Sequence, residues 1–381
     1  MKRSVILVLL LLSALYPQAV TEITLPGIDE ITDIALGEEC VFACVQYSDA
    51  EQGRKSGIIA IDVATGDELW FHGTDSDDSW STIPHDIQFH GNMVYAALFH
   101  SAVLCLDARA GTEVFLREMS GNIIAPIIIE SDVLYAASTS EIVAMDANTG
   151  EDIWSLIMKP CEDGIPRPVS HICLSDDMLL AGSIYPSLRC VDARTGMLLW
   201  ITTADPWVSE NTSWVGVLDV FDNTAYIRTD SPELTVMDLN TQDVIAFHRN
   251  CVYLAGDEEN VYLYDSEDVE TYICVVESES GLITDRVVPD ILIDVKELKL
   301  TRDLLCFGSW NGKLWIHPGR SFSNFCNSDF VRQISEEDIE VAIYGDRIFA
   351  VSEDGNVFSI SIQLDDEWTI ETGLEFEGTP L

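Results

Sequence analysis

The chain has little positive charge. Lys and Arg number 20 among 381 residues, against 65 Asp and Glu, and the formal net charge is −45. A field of that sign repels phosphate backbones and anionic lipid, which argues against nucleic acid as a partner. Catalytic motifs are missing too. There is no Gly-x-Ser-x-Gly elbow, no phosphate-binding loop and no His-Glu-x-x-His. None of the seven histidines stands at metal-ligand spacing from another. No linker rich in Pro, Gly or Ser divides the chain, so one domain is expected. After the first residues no second long apolar run follows, so no stable membrane span is expected there.

The N-terminus is where the few early cations sit. Lys2 and Arg3 precede an apolar run from Val5 to Tyr16, and small residues lead to Ala19. That pattern reads as an export signal over residues 1–19, with the mature domain at 20–381 in the cell envelope or secreted. A retained anchor is the alternative. Ten cysteines in an exported chain raise the question of disulfides. Their spacing argues for thiols. Cys40 and Cys44 lie on one apparent strand, roughly 13 Å apart at about 3.3 Å per residue, and a disulfide needs Cα atoms within about 7 Å. Cys105 and Cys190 occupy one repeat position in different units. Cys161 and Cys326, between units, are the thiols expected to be most exposed.

What the chain has in abundance is a repeat. Ala144 to Trp154 reads AMDANTGEDIW, Ala60 to Trp70 reads AIDVATGDELW, and Cys190 to Trp200 reads CVDARTGMLLW. Cys105 to Phe115, CLDARAGTEVF, has Phe for Trp; Val236 to Ala246, VMDLNTQDVIA, has lost both Gly and Trp. The apolar residues before the Asp read as a strand. The Asp can accept hydrogen bonds from backbone N–H groups a few residues on, and the Gly supplies a positive φ. A second strand then carries the aromatic. Such a hairpin cannot bury its apolar face alone, but stacked neighbours can. Aligned upstream strands centre on Phe42, Tyr95, Tyr135, Leu180, Tyr226, Tyr253, Cys306 and Phe349, which makes eight units. The unit between Tyr226 and Tyr253 is short, so seven is the alternative count. Units six to eight show alternation without the motif. The leftover ends, Ile23 to Ile34 and Trp368 to Phe376, are expected to close the ring by pairing within one blade.

The repeat resembles that of the quinoprotein-like (PQQ-like) β-propeller family, A-x-D-x-x-T-G-x-x-x-W, in which the Trp docks between blades. The copies are Asp62, Gly66, Trp70; Asp107, Gly111, Phe115; Asp146, Gly150, Trp154; and Asp192, Gly196, Trp200. The resemblance implies an all-β propeller of about eight four-stranded blades. It transfers the fold and not the cofactor. Quinone-dependent members carry PQQ and calcium over the axis beside an adjacent cysteine pair, and this chain has no adjacent cysteines. Other members are non-catalytic scaffolds, including propeller lipoproteins of bacterial outer-membrane assembly, whose lipid-bearing Cys is not found here after the apolar run.

One group of polar residues is singled out. His85 and His171 lie near the start of first strands, Asp86 aligns with His171, and Asp33 stands at the same point in unit one. At an axial mouth these could bind an ion or small ligand; a solvated rim is the plainer reading. TDSDDSW, with Asp75, Asp77 and Asp78, lacks the Gly and the bidentate Glu of a calcium loop and reads as an acidic turn. Asn211 heads a glycosylation triplet. The expected function is a secreted or envelope, non-catalytic, monomeric propeller without a cofactor. It would bind a protein or envelope component through a disc face. The alternatives are a PQQ- and calcium-dependent dehydrogenase, or an ion or small-ligand sensor at the axial mouth.

Overall fold

Eight antiparallel sheets of four strands follow one another along the described residues. They span residues 28–73, 84–118, 128–157, 169–203, 215–249, 251–287, 295–333 and 339–371, here blades 1 to 8. The computed structural model describes these strands and most of their tight turns; loops such as 63–66, 75–82, 159–167 and 204–214 lie outside the described residues. In every blade the strands pair in sequence order. First strands pack against first strands: Ile28–Leu36 against Pro84–His90, Val169–Ser175 against Val215–Phe221, and Val295–Leu300 against Ile339–Tyr344. The first strands therefore face the centre and the fourth strands form the rim, as in a propeller.

The residue pattern explains this order. Middle strands such as Met93–Leu98 and Ala102–Asp107 are buried almost throughout, because neighbouring blades cover both faces. Outer strands such as Glu68–Gly73 and Asp152–Ile157 bury chiefly the aromatic. The core is a series of layers between blades. One joins Phe42, Ile58 and Trp70 of blade 1 to Val94, Leu104 and Leu106 of blade 2. The next joins Tyr95 and Cys105 of blade 2 to Leu134, Val143 and Met145 of blade 3. Similar layers link blades 3 to 4, 4 to 5 and 5 to 6. Apolar burial is thus a nearest-neighbour quantity, as in other repeat folds.

Three expectations need correction. Ile28–Leu36 is the first strand of blade 1 and Thr369–Glu371 the fourth of blade 8, so early and late segments do not share a blade. Each end is already needed in its own sheet. Cys251–Gly256, centred near Tyr253, is a first strand, not a second. The place of Tyr135 is taken in blade 6 by Tyr262, which pairs with Val275 as Tyr135 pairs with Ala144. Only Asn250 separates Val244–Arg249, the last strand of blade 5, from this first strand, which made the unit look short. Finally, blade 6 has kept the turn motif, in altered form, as described below.

All eight described cysteines are thiols; Cys161 and Cys326 lie outside the described residues. Burial pushes the thiols of Cys105 and Cys173 up to about 12, and that of Cys190 up to about 11. Native protein is expected to react slowly with a thiol reagent, because the thiolate is the reactive form. Denatured, unreduced protein should react at more than half of its cysteines. Complete protection before reduction would show a disulfide framework instead. Val5–Leu9, within the segment read as an export signal, pairs antiparallel with Thr21–Leu25.

Candidate functional site

The repeat turn is built from one carboxylate. Asp146 Oδ1 accepts from the backbone N–H of Asn148 and Thr149, both at 2.9 Å, and from Thr149 Oγ1 at 3.1 Å. Asp107, Asp192 and Asp238 accept from the same two N–H positions. Gly150 then turns the chain at φ 71° and donates its N–H to the carbonyl of Asp146 at 2.8 Å. In blades 1 to 6 the outer strand after the turn carries a β-bulge one residue before the position of the aromatic, as between Ala144 and Met145 opposite Trp154. The bulge sets the aromatic on the face that meets the next blade.

The aromatic docks on the following blade's turn. Trp154 donates Nε1–H to the carbonyl of Ala193 at 2.8 Å, and Trp70 to that of Ala108 at 2.9 Å. A Cβ on Gly196 would lie 2.6 Å from Trp154, and one on Gly111 would lie 2.5 Å from Trp70. The glycine is therefore required twice, for its φ and for the ring above it. Where the Trp is lost, a tyrosine takes over its bond. Phe115 of blade 2 packs over Gly150, and Tyr95 O–H donates to Ala147 O at 3.0 Å. In blade 5, Ala246 stands for Trp, and Tyr226 O–H donates to Ser278 O at 3.1 Å. Gly66, in the first copy, lies outside the described residues.

That last contact exposes the copy missed by sequence reading. Glu277-Ser278-Glu279-Ser280-Gly281 folds as the same turn: Gly281 has φ 65° and donates its N–H to Glu277 O at 3.0 Å. Glu replaces Asp and Ser replaces Thr, and Ser280 Oγ bonds the Glu277 carboxylate. A search allowing Glu and Ser at those positions would have found it. Blade 5 departs in another way. Gln242 holds the glycine position at φ 62°, and Trp200, which packs against blade 5, is only half-buried. Left-handed backbone costs a non-glycine residue about 1–2 kcal/mol. Gln242→Gly is therefore expected to stabilise the protein by about 1 kcal/mol, read as a higher urea midpoint at unchanged slope. A lower midpoint would mean that the Gln side chain holds the turn.

At the centre, the residues singled out from the sequence divide into two groups. Asp33 and Asp86 hold equivalent bulge positions in blades 1 and 2, opposite Cys44 and Ala97. Each reaches into the next blade. Asp33 Oδ2 accepts the N–H of Ile87 at 2.8 Å, and Asp86 Oδ2 accepts that of Ile127 at 2.9 Å. Gln88 Nε2 donates to the carbonyl of the same Ile127, so that residue is held from both sides. Thr32 Oγ1 donates to Pro84 O at 2.8 Å. His171 holds the same register in blade 4, opposite Gly182, but faces Ser170 Oγ at 3.0 Å. Burial and then Arg228 lower its pKa. His85 lies edge-on to Phe99, and burial lowers its pKa as well. Both imidazoles are therefore neutral near pH 7. Among the described residues no three His, Cys, Asp or Glu side chains converge as metal ligands.

Asp86 is the perturbed acid. Burial raises its pKa to about 6; the Ile127 N–H opposes this and the nearby Asp33 charge adds to it. The folded protein therefore binds a proton more tightly than the unfolded chain, so this group's contribution worsens as pH rises from about 4 to about 6. Above that window the cost is on the order of 3 kcal/mol. Asp86→Asn should remove it while its carbonyl oxygen still accepts from Ile127. The stability difference between variant and wild type should favour the variant at pH 7 and shrink to near zero at about pH 4. A pH-independent difference would refute the shift.

Blades 2 and 3 share a further contact. Arg117 Nη2 lies 2.8 Å from Glu141 Oε1 and 2.7 Å from Asp152 Oδ2, and Nε donates to Asp152 Oδ1 at 3.0 Å. The Glu141 side chain is only 4% exposed. It also accepts from Ser120 N–H at 3.0 Å and Ser155 Oγ at 2.8 Å. Burial pushes its carboxyl up, but the bonds from Arg117, Ser120 and Ser155 outweigh this and hold it below the usual range.

With this geometry in view, the comparisons with known proteins are consistent. The family described as outer membrane protein assembly factor BamB matches residues 54–161 and 138–245. No curated protein matches the chain. Among solved structures, BamB from Moraxella catarrhalis is 16% identical with a TM-score of 0.53, covering 85% of this chain and 94% of its own. The computationally designed Ika8 protein is 15% identical with a TM-score of 0.61, over 86% of this chain and 95% of its own. Quinohemoprotein alcohol dehydrogenase from Comamonas testosteroni is 10% identical with a TM-score of 0.59, over 86% and 71%. An assembly factor and a dehydrogenase thus share the architecture, and at these identities the likeness concerns the fold alone. The matched span, half of the chain and all of its best turn motifs, places the protein in the PQQ-like β-propeller family represented by the outer membrane assembly factor BamB.

Proposed function

We propose that the protein is an extracytoplasmic scaffold that binds a protein of the cell envelope, with residues 1–19 directing its export. One observation carries this reading: the carboxylates best placed for axial chemistry, Asp33 and Asp86, are engaged in holding the next blade. The matched family's description, an outer membrane protein assembly factor, names an assembly role of the same kind. The test is chemical cross-linking in the native envelope, followed by purification of the full chain. A single protein partner in stoichiometric yield is expected. Stoichiometric PQQ binding with calcium-dependent dye reduction, lost on Asp86→Ala, would overturn the reading and make the protein a dehydrogenase.

A further inference from the structure

The rim is not uniform. Of the eight outer strands among the described residues, seven carry at least one charged residue: Glu68 in blade 1, Glu113 and Arg117 in blade 2, Asp152, Arg249, Asp285, Arg332 and Glu371 in the others. The outer strand of blade 4, Leu198–Thr203, reads LLWITT and carries none. Its Leu198, Leu199 and Ile201 are each 43% exposed, and Met197, just before it, is 60% exposed. Edge strands in soluble proteins are ordinarily protected by charge, and a contiguous exposed apolar strip marks an interaction site. This strand also ends its sheet, with no strand paired to its outward edge among the described residues.

We propose that the outer edge of blade 4 docks an extended, cationic segment of a partner protein, apolar side chains alternating with Lys or Arg. The proposal rests on the scaffold reading and gives it a binding surface. Charge selects the occupant. The chain as a whole carries −45. Two cations lie beside the strip: Arg189, opposite Ile201 in the neighbouring strand, is buried on Ser183 and Ser187, and Arg194 is paired with Asp177 at 2.7 Å. A second copy of this chain would bring the same negative field to the contact. A segment with alternating character would lay its apolar residues on the exposed Leu199 and Ile201 and leave its cations in the negative field of the chain. The bulge at Leu199, between the pairs of Cys190 and Val191, breaks the edge. Main-chain pairing is therefore confined to Trp200–Thr203, and the apolar contacts carry the rest.

The test uses the full chain and three labelled peptides, read by fluorescence anisotropy: valine alternating with lysine, serine alternating with lysine, and valine alternating with glutamate. The valine–lysine peptide is expected to bind at least about tenfold more tightly than either of the others. The double variant Leu199→Ser, Ile201→Ser should weaken it about tenfold, while Leu69→Ser, Phe71→Ser in blade 1 should change it less than about twofold. Both variants alter exposed side chains, and equal melting temperatures verify their folds. Equal binding of the two lysine peptides would reduce the effect to bulk charge and overturn the proposal. So would equal losses in the two variants. A dimer in sedimentation that only the blade 4 variant dissociates would reassign the strip to a second copy. A cross-linked envelope partner that survives the blade 4 variant would overturn the docking strip and leave the scaffold reading standing; absence of any partner with the wild-type chain would sink both.

Discussion

Trp154→Ala is expected to destabilise the protein by about 3–5 kcal/mol. The ring is 9% exposed and lies in the layer between blades 3 and 4. Its neighbours cannot close the gap. Gly196 has no side chain to fill it, and Tyr135, 6.2 Å away between ring centroids, belongs to a strand paired on both sides. The lost hydrogen bond matters less, because Tyr135 O–H also approaches the Ala193 carbonyl, at 3.4 Å. The loss should therefore be mainly one of packing, and a companion variant tests that. Gly196→Ala in the wild type meets both the φ of 70° and the Trp154 ring. In the Trp154→Ala background only the backbone cost of about 1–2 kcal/mol remains. The two substitutions should thus be strongly non-additive in urea unfolding. Simple additivity would mean that the ring does not rest on the glycine.

Arg117→Ala should cost a comparable amount, about 3–5 kcal/mol, because it strands a buried carboxylate. Glu141 would keep Ser120 and Ser155 but lose the charge that offsets its burial. The pH dependence gives the signature. In the wild type, Glu141 has a lowered folded pKa, so its contribution is present above the unfolded carboxylate pKa and is lost as pH falls through the folded value. Without Arg117 the burial effect dominates and the folded pKa rises. The variant can then relieve its penalty by taking up a proton, and its deficit should narrow as the pH falls towards about 4. Arg117→Ala with Glu141→Gln should recover part of the loss at pH 7. A deficit that does not vary with pH would place the damage in lost side-chain packing.

These two interfaces show what the sequence can and cannot reveal. Asp146, Gly150 and Trp154 act through contacts that their residue types make best: a short carboxylate closing a turn, a positive φ, an indole ring over a glycine. Those constraints leave a spaced pattern. Glu277 and Ser280 satisfy the same constraints with different residues, so the pattern broke while the turn survived. The centre was legible to a smaller degree. Repeat position alone aligned Asp33, Asp86 and His171, but the partners of the two aspartates are the backbone N–H groups of Ile87 and Ile127, which no side-chain alphabet records. The Arg117 network was also hidden, since its members come from different blades and none is one of the Asp, Gly or Trp positions of the repeat. LLWITT, without a charged residue, reads in sequence like a core strand, and only its exposure and its place at the end of its sheet mark it as an edge.

The docking of each aromatic on the turn of the next blade gives the molecule a polarity in time as well as in space. A chain synthesised from its N-terminus delivers blade 3 before blade 4, so Trp154 arrives before the glycine that receives it. After blade 1 and again after blade 3 the newest blade presents an unfilled indole and an unanswered N–H, and the blade behind it is already covered on that side. The growing end is thus adhesive and the older end inert. Truncating the chain after blade 3 should leave a species that seeks Gly196 in another molecule, whereas removing blades from the N-terminal side exposes a turn without a ring to place on it. Aggregation should therefore follow C-terminal loss far more closely than N-terminal loss.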